Sequence, residues 1–574
     1  MEILSGRLYG KYRIQDIMEK LAREDWPFHH STIGASRAAT IGMEVAIMTI
    51  THGFELVSET YIQEADAKAM LHRHVKTGAE LLSIINSDEN KVFGINFRTP
   101  PSDSTGVAHI LEHSVLCGSR KYPVKEPFVE LLKGSLKTFL NAFTYPDKTC
   151  YPVASQNVQD FYNLVDVYLD AVFHPRLTPF VLQQEGWHLE LEKPDDPITY
   201  KGVVFNEMKG AYSSPERSLA EYSQQAIFPD NTYGLESGGH PADIPNLSYG
   251  QFEQFHKKFY HPSNARIFFY GDDDPEQRLS IVNEYLKDFE RLKVDSEVSL
   301  QGRFDAPRRV VRHYAAGADE SEAGKAMATV NWLLAETTDA DANMALHILN
   351  YILLGMPGSP LRKALIESGL GEDIAGDGLE SELQQMYFSV GMKGVRSADI
   401  DRVEALILET LETLAKEGID PLTIEAALNT IEFGLRENNS GHFPRGIVLM
   451  LRALTTWLYG GDPLALLRFD GLLASVKSKL TANSMFFQDM IRRDFLENPH
   501  RATLVLEPDP LMGEKEAVEE RERLAAIKAS KTPEEILEII EGARELQRRQ
   551  AAPDSPEALA TIPSLEVGDL DKRN

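Results

Sequence analysis

The amino-acid sequence predicts an α/β (α+β) chain: two similar domains, each a mixed sheet with packed helices, followed by a helical hairpin. Three observations lead there. Strand-like and helix-like segments alternate from about residue 51 to beyond residue 500. The segment His261-Pro262-Ser263-Asn264-Ala265-Arg266-Ile267 is echoed by Asn498-Pro499-His500-Arg501-Ala502-Thr503-Leu504, each time between a helix and an acidic turn. Beyond residue 513 the chain changes character and becomes rich in Glu, Lys, Arg, Leu and Ile.

Taken in order, residues 1–50 read as an uncertain leader. Arg7, Arg13, Arg23 and Arg37 alternate with Asp16, Glu19 and Asp25, which suits neither a transit peptide nor a secretory signal, and Met48 offers an alternative start. Organised sequence begins near His52-Gly53-Phe54. Glu80–Ile85 and Lys91–Arg98 predict two strands around the polar turn Ser87–Asn90. Val107, Ile110, Leu111 and Val115 follow at helical spacing; the polar run Ser102–Gly106 is expected to cap this helix and Gly118 to end it. Phe161, Leu164, Val165, Tyr168, Leu169 and Val172 mark an amphipathic helix, and Ala265–Tyr270 a strand. Residues 290–310 are charged and without period, as in a linker. The theme then repeats, with strands over Thr329–Leu334, Met386–Met392 and Ala502–Leu506 and a helix over Ala405–Leu414. The repeat implies a duplicated domain of about 230 residues, far beyond any solenoid period. Glu514–Lys528 and Pro533–Arg549 form the hairpin; Thr532-Pro533-Glu534-Glu535 combines a cap, an N1 proline and early acids. Ala551–Pro556 reads as a connector. The expected domains are thus 51–290, 310–512 and 513–574.

At 574 residues the chain is too long for a single core. With 43% hydrophobic and 25% charged residues it is an ordinary globular chain, and no apolar run is long enough to cross a bilayer. A net charge of −28 argues against nucleic acid as a partner, since binding phosphates needs the opposite sign. The two cysteines, Cys117 and Cys150, read as buried thiols in a reducing compartment. With no clear transit sequence, the cytoplasm is expected, with a mitochondrial or plastid matrix as the alternative.

One motif carries chemistry. His109-Ile110-Leu111-Glu112-His113 puts two imidazoles one helical turn apart on one face, where a single Zn²⁺ can take both, and Glu112 beside them. This is the inverted H-x-x-E-H order of zinc peptidases. A catalytic zinc site needs a third protein ligand and one open position. The spacing alone does not choose that ligand among Glu185, Glu190 and Glu207.

Val107-Ala108-His109-Ile110-Leu111-Glu112-His113-Ser114-Val115-Leu116-Cys117-Gly118-Ser119 resembles the metal helix of the presequence proteases, within the pitrilysin and insulin-degrading-enzyme superfamily. Asn141-Ala142-Phe143-Thr144, Gln184-Glu185-Gly186-Trp187, Lys201–Gly210, His261–Ala265 and Lys363–Gly371 resemble further family segments, in the right order. The resemblance implies a zinc metalloendopeptidase for unfolded peptides, with one Zn²⁺ per chain. It makes His109, His113 and Glu207 the ligands, Glu112 the general base, and Glu185 an acid that orients a ligand. Asn141, Ala142 and Phe143 become points of contact with substrate backbone on an edge strand. It also implies that residues 51–290 are the catalytic domain and 310–512 a non-catalytic homologue. Long members of the family are two such halves joined by a helical hairpin around a chamber. The chain matches the first half and the hairpin, so activity is expected to need a C-terminal half or partner chain. The alternatives are a processing-peptidase-like subunit, or a zinc-containing peptide-binding protein without catalysis.

Overall fold

The alternating runs fold into two mixed sheets with their helices, described over residues 50–317 and 325–570 of the computed structural model. Residues 1–49, nearly all of the expected leader, lie outside the described residues.

The first sheet holds β1 (Ile50–Thr51), β2 (Phe54–Ile62), β3 (Ala67–His74), β4 (Glu80–Ile85), β5 (Lys91–Arg98), β6 (Lys137–Leu140), β7 (Phe143–Thr144) and β8 (Lys148–Ser155). A small hairpin follows, β9 (His188–Glu190) with β10 (Thr199–Lys201), and β11 (Ala265–Gly271) returns to the first sheet. The second sheet holds β12 (Arg308–Ala315), β13 (Ala326–Glu336), β14 (Asp373–Glu380), β15 (Gln385–Val395) and β16 (Arg501–Asp509). The spatial orders are β1-β2-β3-β4-β11-β5-β8-β6, with β7 also on β8, and β12-β16-β13-β15-β14.

The duplication is visible in this topology. In the first sheet β11 inserts parallel to β4, with Arg266 opposite Glu80, and antiparallel to β5, with Ile267 opposite Ile95. In the second, β16 inserts parallel to β12, with Ala502 opposite Arg308, and antiparallel to β13, with Thr503 opposite Val330. The echoed segments at 261–267 and 498–504 are the entries to these two inserted strands. Each sheet continues through two further antiparallel strands, β8 and β6 in one and β15 and β14 in the other.

The helices that matter here are α1 (Val107–Val115), α2 (Val158–Phe173), α3 (Val203–Ala211), α4 (Ala340–Asn350), α5 (Ile400–Glu417), α6 (Pro421–Glu437), α7 (Arg445–Trp457), α8 (Met512–Ala529) and α9 (Pro533–Ala551). Seven of the eight residues of β5 are buried. The reason is cover on both faces, which also explains its near-continuous apolar run. Phe93, Ile95 and Phe97 join a core with Ile110 and Leu111 of α1 and Phe161, Leu164, Val165 and Tyr168 of α2. On the opposite face, Val92 meets Ile447, Met450, Leu454 and Trp457 of α7. Trp332 and Phe388 centre a separate core with Val403, Ile407 and Leu411 of α5. A fully buried side chain of this size contributes about 1.5–3 kcal/mol.

Several expectations are refined. The segment 290–307 carries no helix or strand, as a linker should, yet it is packed: Ser296 Oγ donates to Asn264 Oδ1 (2.7 Å) and Gln301 Nε2 to Asp230 Oδ2 (2.8 Å). The hairpin forms as expected, and the Thr532 hydroxyl accepts from the Glu535 amide while Glu535 answers the Thr532 amide. It docks on the first core through Leu524, Ile536 and Ile540. The connector is tied down as well, with Asp554 accepting from the Lys125 amide.

Candidate metal centre

The metal helix does not start from a side-chain cap as expected. Its N-cap is Gly106, with φ 69° and no capping side chain, while Asp103 instead accepts from the Thr105 amide. Close packing explains the glycine. A Cβ at Gly106 would lie 2.7 Å from the Gly238 carbonyl oxygen, so only glycine lets the loop 236–239 approach the start of α1. That loop is functional in consequence: the Gly238 carbonyl accepts from His109 Nδ1 at 3.0 Å. A carbonyl only accepts, so the proton is on Nδ1 and the Nε2 lone pair is free for a metal.

His113 lies one turn further on, its ring centroid 5.0 Å from that of His109. Its Nδ1 donates to Glu185 Oε2 at 3.3 Å, which again leaves Nε2 free. Glu185 is buried in a single π-helical turn, Leu182–Gly186, and also accepts from Gln184 Nε2 (2.7 Å) and the Cys117 thiol (3.4 Å). Burial alone would lower the His113 pKa, but the bond to Glu185 and the charges of Glu112, Glu185 and Glu207 outweigh it and raise it. Burial would likewise raise Glu185, and its bonds from His113 and Gln184 bring it below the ordinary carboxylate value. Burial and the Glu185 charge push the Cys117 thiol well up, so it stays a thiol.

Glu207 comes from α3. The N-cap of that helix, Gly202, has φ 153°, and a Cβ there would stand 2.0 Å from the Gly186 oxygen. This contact clamps the start of α3 against the turn that holds Glu185. Glu207 Oε2 then lies 3.8 Å from Nε2 of both His109 and His113. These three residues are the group of possible ligands among the described residues, with their atoms all within 4.8 Å of one another. Zinc–ligand bonds of 2.0–2.2 Å set tetrahedral ligand atoms about 3.4 Å apart, so the two 3.8 Å separations from the half-exposed Glu207 are within about 0.4 Å of what zinc needs. The residues therefore fit a zinc ion. Glu112 is half-buried beside them and has no hydrogen bond or ion pair among the described residues.

The edge expected at Asn141–Thr144 differs in detail. It is not one strand: β6 ends at Leu140, β7 begins at Phe143, and Asn141 and Ala142 sit at the break, with the Asn141 amide reaching the Pro152 carbonyl at 3.4 Å. Ala142 is buried, whereas Phe143 is half-buried. β6 is nonetheless the terminal strand of its sheet.

Glu236 and Gly238 have no counterpart in the sequence reading. The buried Glu236 accepts from the Gly238 amide (3.0 Å) and the Tyr212 hydroxyl (2.8 Å), which fixes the turn that grips His109. The glycine pair Gly238-Gly239 is the only trace of this in the sequence.

Family models match three stretches of the chain: insulinase (peptidase family M16) over residues 98–196, peptidase M16 inactive domain over 246–431, and the associated domain of peptidase M16 subfamily C over 506–574. The chain belongs to peptidase family M16. Among its M16 relatives, presequence protease 1, chloroplastic/mitochondrial, of Arabidopsis thaliana is 54% identical over 91% of this chain and 49% of its own length. Protein HypA of Clostridium perfringens is 44% identical over 91% of this chain and 54% of its own. The mitochondrial presequence protease of Xenopus tropicalis is 39% identical over 91% and 51%. The chain spans about half the length of these curated relatives. The M16 fold also recurs in solved structures: a Helicobacter pylori protease (TM-score 0.58, 15% identity, 79% of this chain and 99% of that one) and pitrilysin (0.54, 18%, 80% and 46%). The M16 duplication leaves a mark on the second metal-helix position. α4, which follows β13 as α1 follows β5, ends in His347-Ile348-Leu349-Asn350, with Tyr351 opening the π turn after it, where α1 reads His109-Ile110-Leu111-Glu112-His113. No helix among the described residues is long and apolar enough to cross a membrane.

Proposed function

We infer that this chain is the metal-bearing half of a zinc metalloendopeptidase that cuts short unstructured peptides, in the manner of presequence proteases, and that a C-terminal half or partner chain completes it. The observation that carries this reading is the convergence of two free Nε2 atoms and one carboxylate oxygen, with the unpaired Glu112 carboxylate beside them. When bound, zinc would polarise the scissile carbonyl and make a water nucleophilic near neutral pH. Glu112 takes the proton of the attacking water and returns it to the leaving amine. His109 and His113 hold the ion, their rings fixed by the Gly238 carbonyl and by Glu185. The β6–β7 edge offers main-chain groups to an extended peptide, which favours unfolded chains over folded ones. Two free thiols, Cys117 and Cys150, suit a reducing compartment. The organellar names of several relatives make a mitochondrial or plastid matrix as good a candidate as the cytoplasm.

The test is cleavage of an unstructured peptide by zinc-loaded protein, alone and with the C-terminal half of a relative, beside Glu112→Gln. New fragments that vanish with Glu112→Gln are expected. Peptide retention without turnover in the completed assembly would reject the peptidase reading in favour of a binding protein.

A further inference from the structure

The second sheet's counterpart of the metal helix, α4, lines a cavity of about 550 Å³ with α6 and α7. His347 faces it from α4, Tyr351 from the π turn that follows, Leu435 from α6, and Leu451 and Arg452 from α7; Phe443, just before α7, closes one wall and packs on Phe139 of the edge strand β6 at 5.5 Å. Its volume is that of a small-molecule site, and its walls are mainly apolar.

Arg452 is the anomaly. Its side chain is half-buried at the cavity and has no hydrogen bond or ion pair among the described residues. A cation partly withdrawn from water and left without a partner favours an anion beside it, and an arginine keeps its charge at any pH a cell reaches. Burial draws its pKa below the ordinary guanidinium value. His347 does not compete for an anion: burial, then the Arg452 charge, lowers its pKa to about 4, so it is neutral, and its Nε2 pairs with Ser381 Oγ at 3.1 Å. There is room as well, since a Cβ added at Gly434 on the α6 wall would meet nothing within 4 Å.

The geometry points to a second binding site here, for an apolar molecule ending in a carboxylate: the carboxylate pairs with Arg452 and the apolar body lies against Leu435, Phe443 and Leu451. The site lies beside the second sheet's counterpart of the metal helix; Arg452 is the one cationic residue in its lining and Glu382 the one acid. It does not depend on the peptidase reading. Two sources share the chemistry, a free alkanoic acid and the C-terminal residue of an apolar peptide.

Titration calorimetry on the full chain tests this with octanoate, octylamine, and a leucine tripeptide bearing a free or an amidated C-terminus. Octanoate or the free-acid tripeptide should bind one per chain, and octylamine and the amide should not; which of the two acids binds more tightly identifies the source. Arg452→Met should weaken binding by about tenfold or more, the loss expected for a charged hydrogen bond, and Arg452→Lys should keep part of it. Gly434→Leu starts from a position whose Cβ meets nothing within 4 Å, occupies part of the cavity and should abolish binding in a folded protein, which covers the case in which Arg452→Met fails to fold. His109→Ala should leave binding unchanged, separating this cavity from the metal centre. Equal binding of octanoate and octylamine, no binding of either acid, or full affinity in Gly434→Leu would overturn the proposal.

Discussion

Glu207, Glu185 and Glu112 are three carboxylates within one site, and the geometry gives each a different consequence for zinc. Glu207 Oε2 is 3.8 Å from both free imidazole nitrogens, so in the proposed zinc site it closes the ligand set. Glu207→Gln replaces an anionic ligand with a neutral, weakly basic amide, and the loss of zinc affinity should exceed the 10–100-fold range typical of groups that only support ligands. Glu185 touches no open ligand position. It accepts from His113 Nδ1 at 3.3 Å, so Glu185→Gln keeps an acceptor but loses the charge that makes the ring more basic. About a tenfold loss follows, near 1.4 kcal/mol. Glu112 makes no hydrogen bond or ion pair with any of the three ligands, so Glu112→Gln should bind zinc nearly like the parent and lose only turnover. Competition with a chromophoric chelator at pH 7.5 measures all three, with thermal melting of the metal-free proteins to show that the fold is intact. An equal loss in Glu185→Gln and Glu207→Gln would make Glu185 a ligand and refute the assignment. Unchanged affinity in Glu207→Gln would place the third ligand elsewhere.

The fold makes further commitments. Arg278 is fully buried and depends on Asp273, which accepts from its Nε at 2.9 Å and also from the Tyr162 hydroxyl at 2.6 Å. Asp273→Ala should therefore cost about 3–5 kcal/mol in chemical denaturation, and Asp273→Ala with Arg278→Met should recover part of it; a loss under about 1 kcal/mol would show that the pair is solvated. His256, His347 and His500 each have a pKa lowered to about 4, chiefly by burial. For a base lowered on folding, stability is complete above the unfolded pKa of about 6.5 and falls as pH drops towards 4, by up to roughly 2 kcal/mol per histidine at pH 5. Equal melting temperatures at pH 7 and pH 5 would contradict that burial. Ala142→Pro, at the break between β6 and β7, removes an edge amide and should raise KM for a peptide in the completed assembly while zinc affinity stays constant; an unchanged KM would remove this edge from substrate binding.

What is legible in the sequence follows physical strength. β4 and β5 fall where alternation and apolar runs put them, at Glu80–Ile85 and Lys91–Arg98, because burial on both faces leaves little freedom of register. β2 is not legible because it is largely exposed: Leu56, Val57 and Tyr61 all face solvent, so its pattern carries no alternation to detect. The His109–His113 pair is legible because α1 supplies both ligands from one helical turn. Spacing does not single out Glu207, since the site reaches it through a close approach of Gly186 and Gly202 rather than any local periodicity. Least legible is the Gly238 carbonyl. Backbone atoms have no sequence signature, and the loop that presents it is held by a buried acid, Glu236, that looks like any other acid in a strongly acidic chain.

The two halves of the duplication show how few changes separate a metal centre from its inert copy. At the second site Asn350 stands where the first has Glu112 and can take up no proton, while Tyr351 offers a phenol oxygen, a poorer zinc ligand than an imidazole nitrogen. α6, which stands across the cavity from α4, contributes Thr430, Ile431, Gly434 and Leu435, so no carboxylate stands where α3 supplies Glu207. Arg452 then adds a positive charge to the space that a divalent ion would fill. Each difference alone would weaken metal binding, although one acid, Glu382, still lines this cavity. The first copy draws on four separate segments to aim its ligands: α1, the π turn at 182–186, α3 and the 236–239 loop. The second copy has His347-Ile348-Leu349 in a largely buried helix with neither an acid nor a second histidine beside it, so one imidazole is all that its helix can offer a metal.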